Sequence, residues 1–222
     1  MLIDDKFSTV LDLYHEKMAE ERLRNEERRK LTQANPELRS KLRPGRDPEE
    51  DDKKFMAIGP KSGQLVNWLI RSQKAPNVLE IGTSLGYSTL WLADAAQAAG
   101  GRVTTIETRE AKSAYARKMI EEAGLAGHVE FLVGNAVELI GEIPAGFDFV
   151  LIDLPKQFYV ACLEAIYPKL NPGAIIVADN IIHGPKGEFT GDYVRTIRAK
   201  PDITSTVVPV GSGLEISRYK AD

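Results

Sequence analysis

Residues 78–88 read Val-Leu-Glu-Ile-Gly-Thr-Ser-Leu-Gly-Tyr-Ser. An apolar run that ends in a glycine-punctuated turn and leads into a helix-length segment is the pattern of a strand handing over to a helix. The strand spans 77–82 and the helix 86–98. Four more β-rich apolar runs follow at 102–107, 128–133, 147–152 and 173–178, with helix-length segments at 110–123, 135–141 and 156–169 between them. The alternation predicts an α/β fold: a Rossmann-like, doubly wound sheet whose first five strands run parallel, with helices on both faces. A further helix near 189–199 precedes two short runs, 203–210 and 213–219, with Gly211 and Ser212 between them. A Gly-X pair suits a tight hairpin, so the sheet is expected to close on a reversed strand.

Gly82 and Gly86 permit a tight turn and close approach of a ligand to the backbone. In an open α/β sheet this carboxyl-end crevice is where ligands bind. The spacing is G-x-x-x-G, not the G-x-G-x-x-G that seats a pyrophosphate, and the terminal hairpin also differs from the six parallel strands of a dinucleotide-binding dehydrogenase. Glu107 ends the second strand about 20 residues after the glycine loop, where an acid accepts from the ribose hydroxyls of a nucleoside. A nucleoside cofactor is therefore expected.

The fourth strand runs into Asp153, Leu154, Pro155 and Lys156, and the fifth into Asp179 and Asn180. Strands that end in acids place them at the edge that carries the glycine loop. If those two strands are neighbours, about 4.8 Å apart, Asp153, Asp179 and Asn180 converge. Carboxylate and amide oxygens suit Mg²⁺, Mn²⁺ or Ca²⁺ rather than zinc, and three of them leave room for water and substrate on an octahedral ion. Asp and Asn also serve simply as turn residues. Lys156 beside a cation should have its pKa lowered, which makes it a candidate base.

The chain has 222 residues, 43% apolar and 27% charged, a formal net charge of −3 and one cysteine, Cys162. That balance argues against a global field for nucleic acid or anionic membrane, and the single cysteine excludes an internal disulfide and a cysteine-rich zinc site. The acidic start MLIDDKFSTV and the lack of a long apolar run predict a cytoplasmic protein with no membrane partner. Residues 1–54 stand apart as a charged helical arm and linker. Phe7, Val10, Leu11, Tyr14 and Met18 make one apolar helix stripe that must be buried, whether as a lid or in a dimer. Charges nearly fill 16–30, and Pro36, Pro44, Gly45, Pro48 and the acidic 49–52 mark a linker. Cys162, Trp68 and Trp91 read as packing residues, and His15 and His128 show no ligand spacing.

Taken together, FMAIGPKSGQLV (55–66), VLEIGTSLGYSTLWLA (78–93), TIE (105–107), FDFVLIDLPKQFY (147–159), GAIIVADNIIHG (173–184) and GLEISRY (213–219) resemble the metal-dependent, class I S-adenosylmethionine O-methyltransferases of the catechol and caffeoyl-CoA type. The resemblance runs through 55–222 in unbroken order, so that segment is expected to be the methyltransferase domain. It implies a seven-stranded sheet of order 3-2-1-4-5-7-6 with the last strand antiparallel. By position it implies that Ile58, Glu80, Gly82 and Ser88 contact or shape the methionine end of S-adenosylmethionine, that Glu107 holds the ribose, and that Asn135 with Ala136 flank the adenine. Asp153 would serve cofactor and metal, Asp179 and Asn180 would complete a site for Mg²⁺ (or Mn²⁺ or Ca²⁺), and Lys156 would deprotonate a small phenolic acceptor, a vicinal diphenol. Relatives also suggest a homodimer.

The match has departures. Ser84 stands where the family's loop has its middle glycine, and Pro155 stands where animal members carry a pocket tryptophan. No acid lies near Thr206, and 182–184 lacks the tryptophan of other branches, which leaves the acceptor rim, including His183, unmatched. The alternative is a tRNA wobble-uridine hydroxyl methyltransferase, for which Arg39, Lys41, Arg43 and Arg46 offer a basic stretch. The neighbouring acidic run speaks against it. Intact Asp153, Lys156, Asp179 and Asn180 speak against a binding protein that has lost catalysis.

Overall fold

The central strands, at 77–81, 147–152 and 170–178, are largely apolar on both faces because both faces are covered, which is why they read as near-continuous hydrophobic runs. The computed structural model describes residues 5–35, 37, 55, 57–182 and 188–220. Its strands are β1 (Asn77–Ile81), β2 (Arg102–Glu107), β3 (Val129–Val133), β4 (Phe147–Ile152), β5 (Leu170–Ala178), β6 (Ile203–Val208) and β7 (Leu214–Tyr219). They form one sheet of order β3-β2-β1-β4-β5-β7-β6. β1 to β5 pair in parallel, and β7 runs antiparallel to both β5 and β6. The helices are α1 (Asp5–Ala34), α2 (Pro60–Arg71), α3 (Tyr87–Ala99), α4 (Glu110–Glu122), α5 (Ala136–Glu142), α6 (Tyr159–Ile166) and α7 (Glu188–Arg198).

Alternate residues of each strand feed two cores. Val78, Phe149, Leu151 and Val177 pack with Val66, Ile70, Leu90 and Ile120 on one face. Leu79, Ile81, Val150, Ile152 and Ile176 pack with Ile140, Cys162, Leu163 and Tyr193 on the other. Cys162 is therefore a buried core residue, and burial pushes its thiol up to about 11. The stripe on α1 joins the first core: Phe7, Val10 and Tyr14 are buried there, and Phe7 meets Trp91 edge to face at 5.4 Å. Trp68, expected to pack, is instead 59% exposed on the outer side of α2. Among the described residues no helix is long and apolar enough to cross a membrane. The linker prolines, the acidic 49–52, Arg39, Lys41, Arg43, Arg46 and His183 lie outside the described residues.

Two boundaries differ from the sequence expectation for physical reasons. The β6–β7 connection is not a two-residue hairpin but runs from Pro209 to Gly213. Pro209 has no N–H for the ladder and ends β6 early. The chain then turns through positive φ at Gly211 and Gly213. The segment 156–169 is one helix only in its middle, because single 3₁₀ turns at Lys156–Phe158 and Tyr167–Lys169 flank α6.

Two carboxylates are wholly buried in the sheet, and they are satisfied differently. Glu215 on β7 receives a two-pronged bond from Arg198 at 2.8 and 3.0 Å. Glu80 on β1 receives only hydroxyls, from Thr89 at 2.5 Å and Thr105 at 2.6 Å, both on Oε2, while Oε1 has no hydrogen-bond partner among the described residues. Burial without a cation pushes Glu80 up to about 7, against the pull of the Ser88, Thr105 and Thr89 hydroxyls. Its ordinary value is 4.5, so between pH 4.5 and about 7 the native state keeps a proton that the unfolded chain has released, and stability falls as pH rises through that window. Glu80→Gln is therefore expected to match the parent near pH 4 and to exceed it by about 3 kcal/mol at pH 8, on the order of the free energy carried by such a shift. Denaturant unfolding across that range checks this, and a pH-independent difference between variant and parent would remove the assignment.

Candidate active site

Sheet register builds the site. Ile81, Ile152 and Ala178 stand level across β1, β4 and β5, so the residues that follow them leave the sheet side by side. Two further ladder bonds tie these exits together: Asp153 N–H donates to the Ile81 carbonyl at 2.9 Å and Asp179 N–H to the Ile152 carbonyl at 3.1 Å. The chain winds outward from β1 to β3 and then returns to β4 on the other side of β1, which opens a crevice at this edge.

The glycine loop lines one side. Gly82 has φ 108°, and a Cβ there would overlap the Asp153 carbonyl, so only glycine lets the two loops touch. Ser84, at the position where the resembling family has its middle glycine, sits in the left-handed region at φ 48°. Its N–H is fixed by donating to Glu107 Oε2 at 2.8 Å, and its buried hydroxyl lacks a partner among the described residues. Glu107 Oε1 accepts from the N–H groups of Thr108 at 2.9 Å and Arg109 at 3.0 Å. The carboxylate thus ties the loop to the end of β2, and Oε2, with one bond accepted, keeps acceptor capacity. Ser88 is buried in the first turn of α3 beside Glu80, and Ile58 is buried in the first core. Asn135 caps α5, its Oδ1 accepting from Val137 N–H at 2.9 Å, and Ala136 behind it is buried.

Asp153, Lys156, Asp179 and Asn180 do meet. The Asn180 side-chain amide donates to Asp179 Oδ2 at 2.5 Å and reaches Asp153 Oδ1 at 3.5 Å. Asn180 takes the left-handed conformation at φ 59°, which an Asn tolerates better than most residues. Burial, then the Asp153 charge, pushes Asp179 up to about 7. Burial also raises Asp153, while Lys156 opposes the shift. Asp179 Oδ1 is buried with no hydrogen-bond partner among the described residues. Lys156 Nζ lies 3.6 Å from Asp153 Oδ1 and 3.3 Å from the Asp179 carbonyl. Its pKa is lowered as expected, but the cause is burial, against the pull of both aspartates.

Two confined carboxylates with an unpartnered oxygen fit a divalent cation, whose charge would relieve their mutual repulsion. Among the described residues no three His, Cys, Asp or Glu side chains group for a metal, so a cation here would need the Asn180 amide as its third protein donor. Half a turn of that amide exchanges its nitrogen for its oxygen.

The sequence reading missed Tyr159. This fully buried phenol accepts from Lys156 Nζ, donates to the Asp179 carbonyl at 3.1 Å, and lies under the ammonium, 4.4 Å from ring centre to Nζ. Its only signal was the i, i+3 spacing from Lys156. The rim also gains residues: Phe158 and Ile182, 46% and 50% exposed, lie within two positions of Lys156 and Asn180. A separate cavity of about 400 Å³ lies between α1 and the segment before α2, lined by Met18, Glu21, Arg22 and Phe55 among others, and none of the Asp153 cluster borders it.

A family model described as O-methyltransferase matches residues 35–220. The catechol O-methyltransferase of Mycobacterium tuberculosis is 38% identical over 130 residues, 58% of this chain and 59% of that protein. The catechol O-methyltransferase of Niastella koreensis is 35% identical over 135 residues, 59% of this chain and 61% of that protein. These matches span about three fifths of the length of the two relatives. An O-methyltransferase from Bacillus cereus, solved in complex with SAH, superposes with a TM-score of 0.70 at 29% identity, covering 84% of this chain and 97% of that one. With the sheet order, the glycine loop and the match over 35–220 in agreement, the chain belongs to the O-methyltransferase family.

Proposed function

We propose that this chain transfers a methyl group from S-adenosylmethionine to one hydroxyl of a small vicinal diphenol, with a divalent cation, Mg²⁺ first, held by Asp153, Asp179 and Asn180. The observation that carries the reading is that Asp153, Asp179 and Asn180 meet at the edge where the glycine loop leaves the sheet, with one buried Asp179 oxygen unpartnered among the described residues. The names of the two catechol-acting relatives support the acceptor class, and the SAH in the Bacillus cereus structure supports the donor.

In this reading Gly82 lets the donor lie against the backbone, with Glu80, Ser88 and Ile58 shaping its methionine end. The remaining acceptor capacity of Glu107 takes a ribose hydroxyl, and Asn135 and Ala136 border the adenine. When bound, the cation would supply Lewis-acid polarisation of the acceptor oxygens and lower the hydroxyl pKa. Lys156 takes the hydroxyl proton on Nζ. Burial favours its neutral form, and Tyr159 holds the amine over the ring and against the Asp179 carbonyl. The oxygen then attacks the sulfonium methyl carbon in line, the O–CH3 bond forming as the S–CH3 bond breaks and S-adenosylhomocysteine leaves, so the protein's main contribution is proximity and alignment.

Methyl transfer from labelled S-adenosylmethionine to 3,4-dihydroxybenzoate, in Mg²⁺ and then in EDTA, tests the whole reading. Activity is expected in Mg²⁺, to vanish in EDTA, and to fall at least about 100-fold in Lys156→Met, the scale of general-base catalysis. Activity indifferent to EDTA removes the cation from the mechanism.

The metal site has a readout of its own. Millimolar Mg²⁺ is expected to raise the melting temperature of the parent by several degrees through binding linkage and to leave Asp179→Ala unmoved. Equal shifts in both proteins would place the cation elsewhere.

A further inference from the structure

Helix α1 has no part in the mechanism above, yet it touches both segments that border the proposed donor cleft. The Tyr14 hydroxyl, fully buried, donates to the Leu85 carbonyl in the glycine loop at 2.6 Å. A Cβ on Gly86 would come within 3.0 Å of the same hydroxyl, so the loop lies directly on α1. Next to it His15 Nε2 lies 3.2 Å from the Tyr87 hydroxyl, and the Tyr14 and Tyr87 rings meet edge to face at 5.6 Å. Two helical turns further on, Glu21 Oε2 accepts from the Phe55 N–H at 3.1 Å. The Phe55 ring closes the cluster, 5.6 Å from Tyr14 and 6.0 Å from Tyr87. Phe55 opens the segment that runs to Ile58.

We infer that α1 is a positioning element for the methyl donor: Tyr14 holds the glycine loop and Glu21 holds the segment leading to Ile58, so helix docking and donor binding are coupled. This rests on the reading of residues 82–88 and Ile58 as donor-binding.

The loop needs such a hold. It passes through positive φ at Gly82, Ser84 and Gly86: the two glycines take that region without strain but are as free to leave it, and Ser84 stays there only when its surroundings fix it. A loop that samples other states binds its ligand more weakly by the fraction of time it is competent. A phenol is also an odd choice if α1 only packs. Phenylalanine fills nearly the same volume without a buried hydroxyl to satisfy, and Tyr14 spends that hydroxyl on one loop carbonyl. Linkage makes the coupling reciprocal, so a ligand that orders the loop must also hold the helix down.

The experiment uses the full chain and SAH as the probe. Amide hydrogen exchange of the parent is expected to slow on saturation with SAH across residues 10–21 of α1 as well as across 82–88. In Tyr14→Phe, the SAH dissociation constant is expected to rise roughly tenfold, the scale of one buried hydrogen bond, with the kinetic loss falling on KM for the donor rather than on kcat. Unchanged exchange in α1 at saturating SAH overturns the inference whether or not Tyr14→Phe folds, and so does a variant that binds SAH within about twofold of the parent. A parent that binds no SAH refutes the donor reading itself, and this inference with it; SAH protection confined to 82–88 refutes this inference alone.

Discussion

The contact between Gly82 and the Asp153 carbonyl constrains everything at the active edge. It exists because β1 and β4 are neighbours in parallel register, with Ile81 level with Ile152, and because the residue after Ile81 has no side chain. Any Cβ at Gly82 would wedge the loops apart. Such a wedge would move Asp153 relative to Asp179, which hangs from the next exit through its bond to the Ile152 carbonyl. One glycine thus sets the spacing between the loop proposed to carry the donor and the carboxylates proposed to carry the cation. Alignment of donor and acceptor then follows from sheet register, which side-chain motion does little to change.

The electrostatics show why this edge is chemical and the rest of the sheet is not. Glu215 and Glu80 are both wholly buried, yet Glu215 is neutralised in place by Arg198 and Ser205. Glu80 has no such counter-cation and Asp179 has only the nearby Lys156, which does not offset its burial; among the described residues each has an oxygen without a partner, and burial drives both pKa values up to about 7. A fold keeps under-satisfied buried acids at a cost in stability, and a cationic ligand for each, a sulfonium- and ammonium-bearing donor and a divalent metal, would offset that cost.

Much of this was legible in the chain. The five parallel strands could be read from their β-rich apolar runs alternating with helices, their order came only with the family resemblance, and Asp153, Asp179, Asn180 and Glu107 stood out because each ends a strand. What escaped depends on contacts between distant residues or on a single backbone group. Pro209 shifts the hairpin turn through a missing N–H, an effect a two-residue Gly-Ser signal conceals. Tyr159 looked like any helix aromatic until its hydroxyl fell between Lys156 and the Asp179 carbonyl. Trp68 sits on a helix that packs, but on the side that does not. The apolar stripe on α1 was plain, whereas its target was not: nothing in the spacing of Phe7, Val10 and Tyr14 names Leu85, 71 residues further on.

That last contact changes how the composition break near residue 55 is read. Charge density separates the first 54 residues from the rest, and composition alone makes them an appendage. Packing cuts the chain elsewhere. The first half of α1 shares a core with α3 and α4, while Leu23 and Leu31 on its second half are 62% and 53% exposed. The physical boundary therefore falls within α1, between a half whose apolar stripe is buried and a half whose charges are solvated. A glycine-rich loop cannot hold itself, because the residues that let it turn also free it to turn otherwise. Strands anchor it at one end and α3 at the other, and its middle needs a third point of attachment, which Tyr14 supplies from an element that composition alone would have set aside.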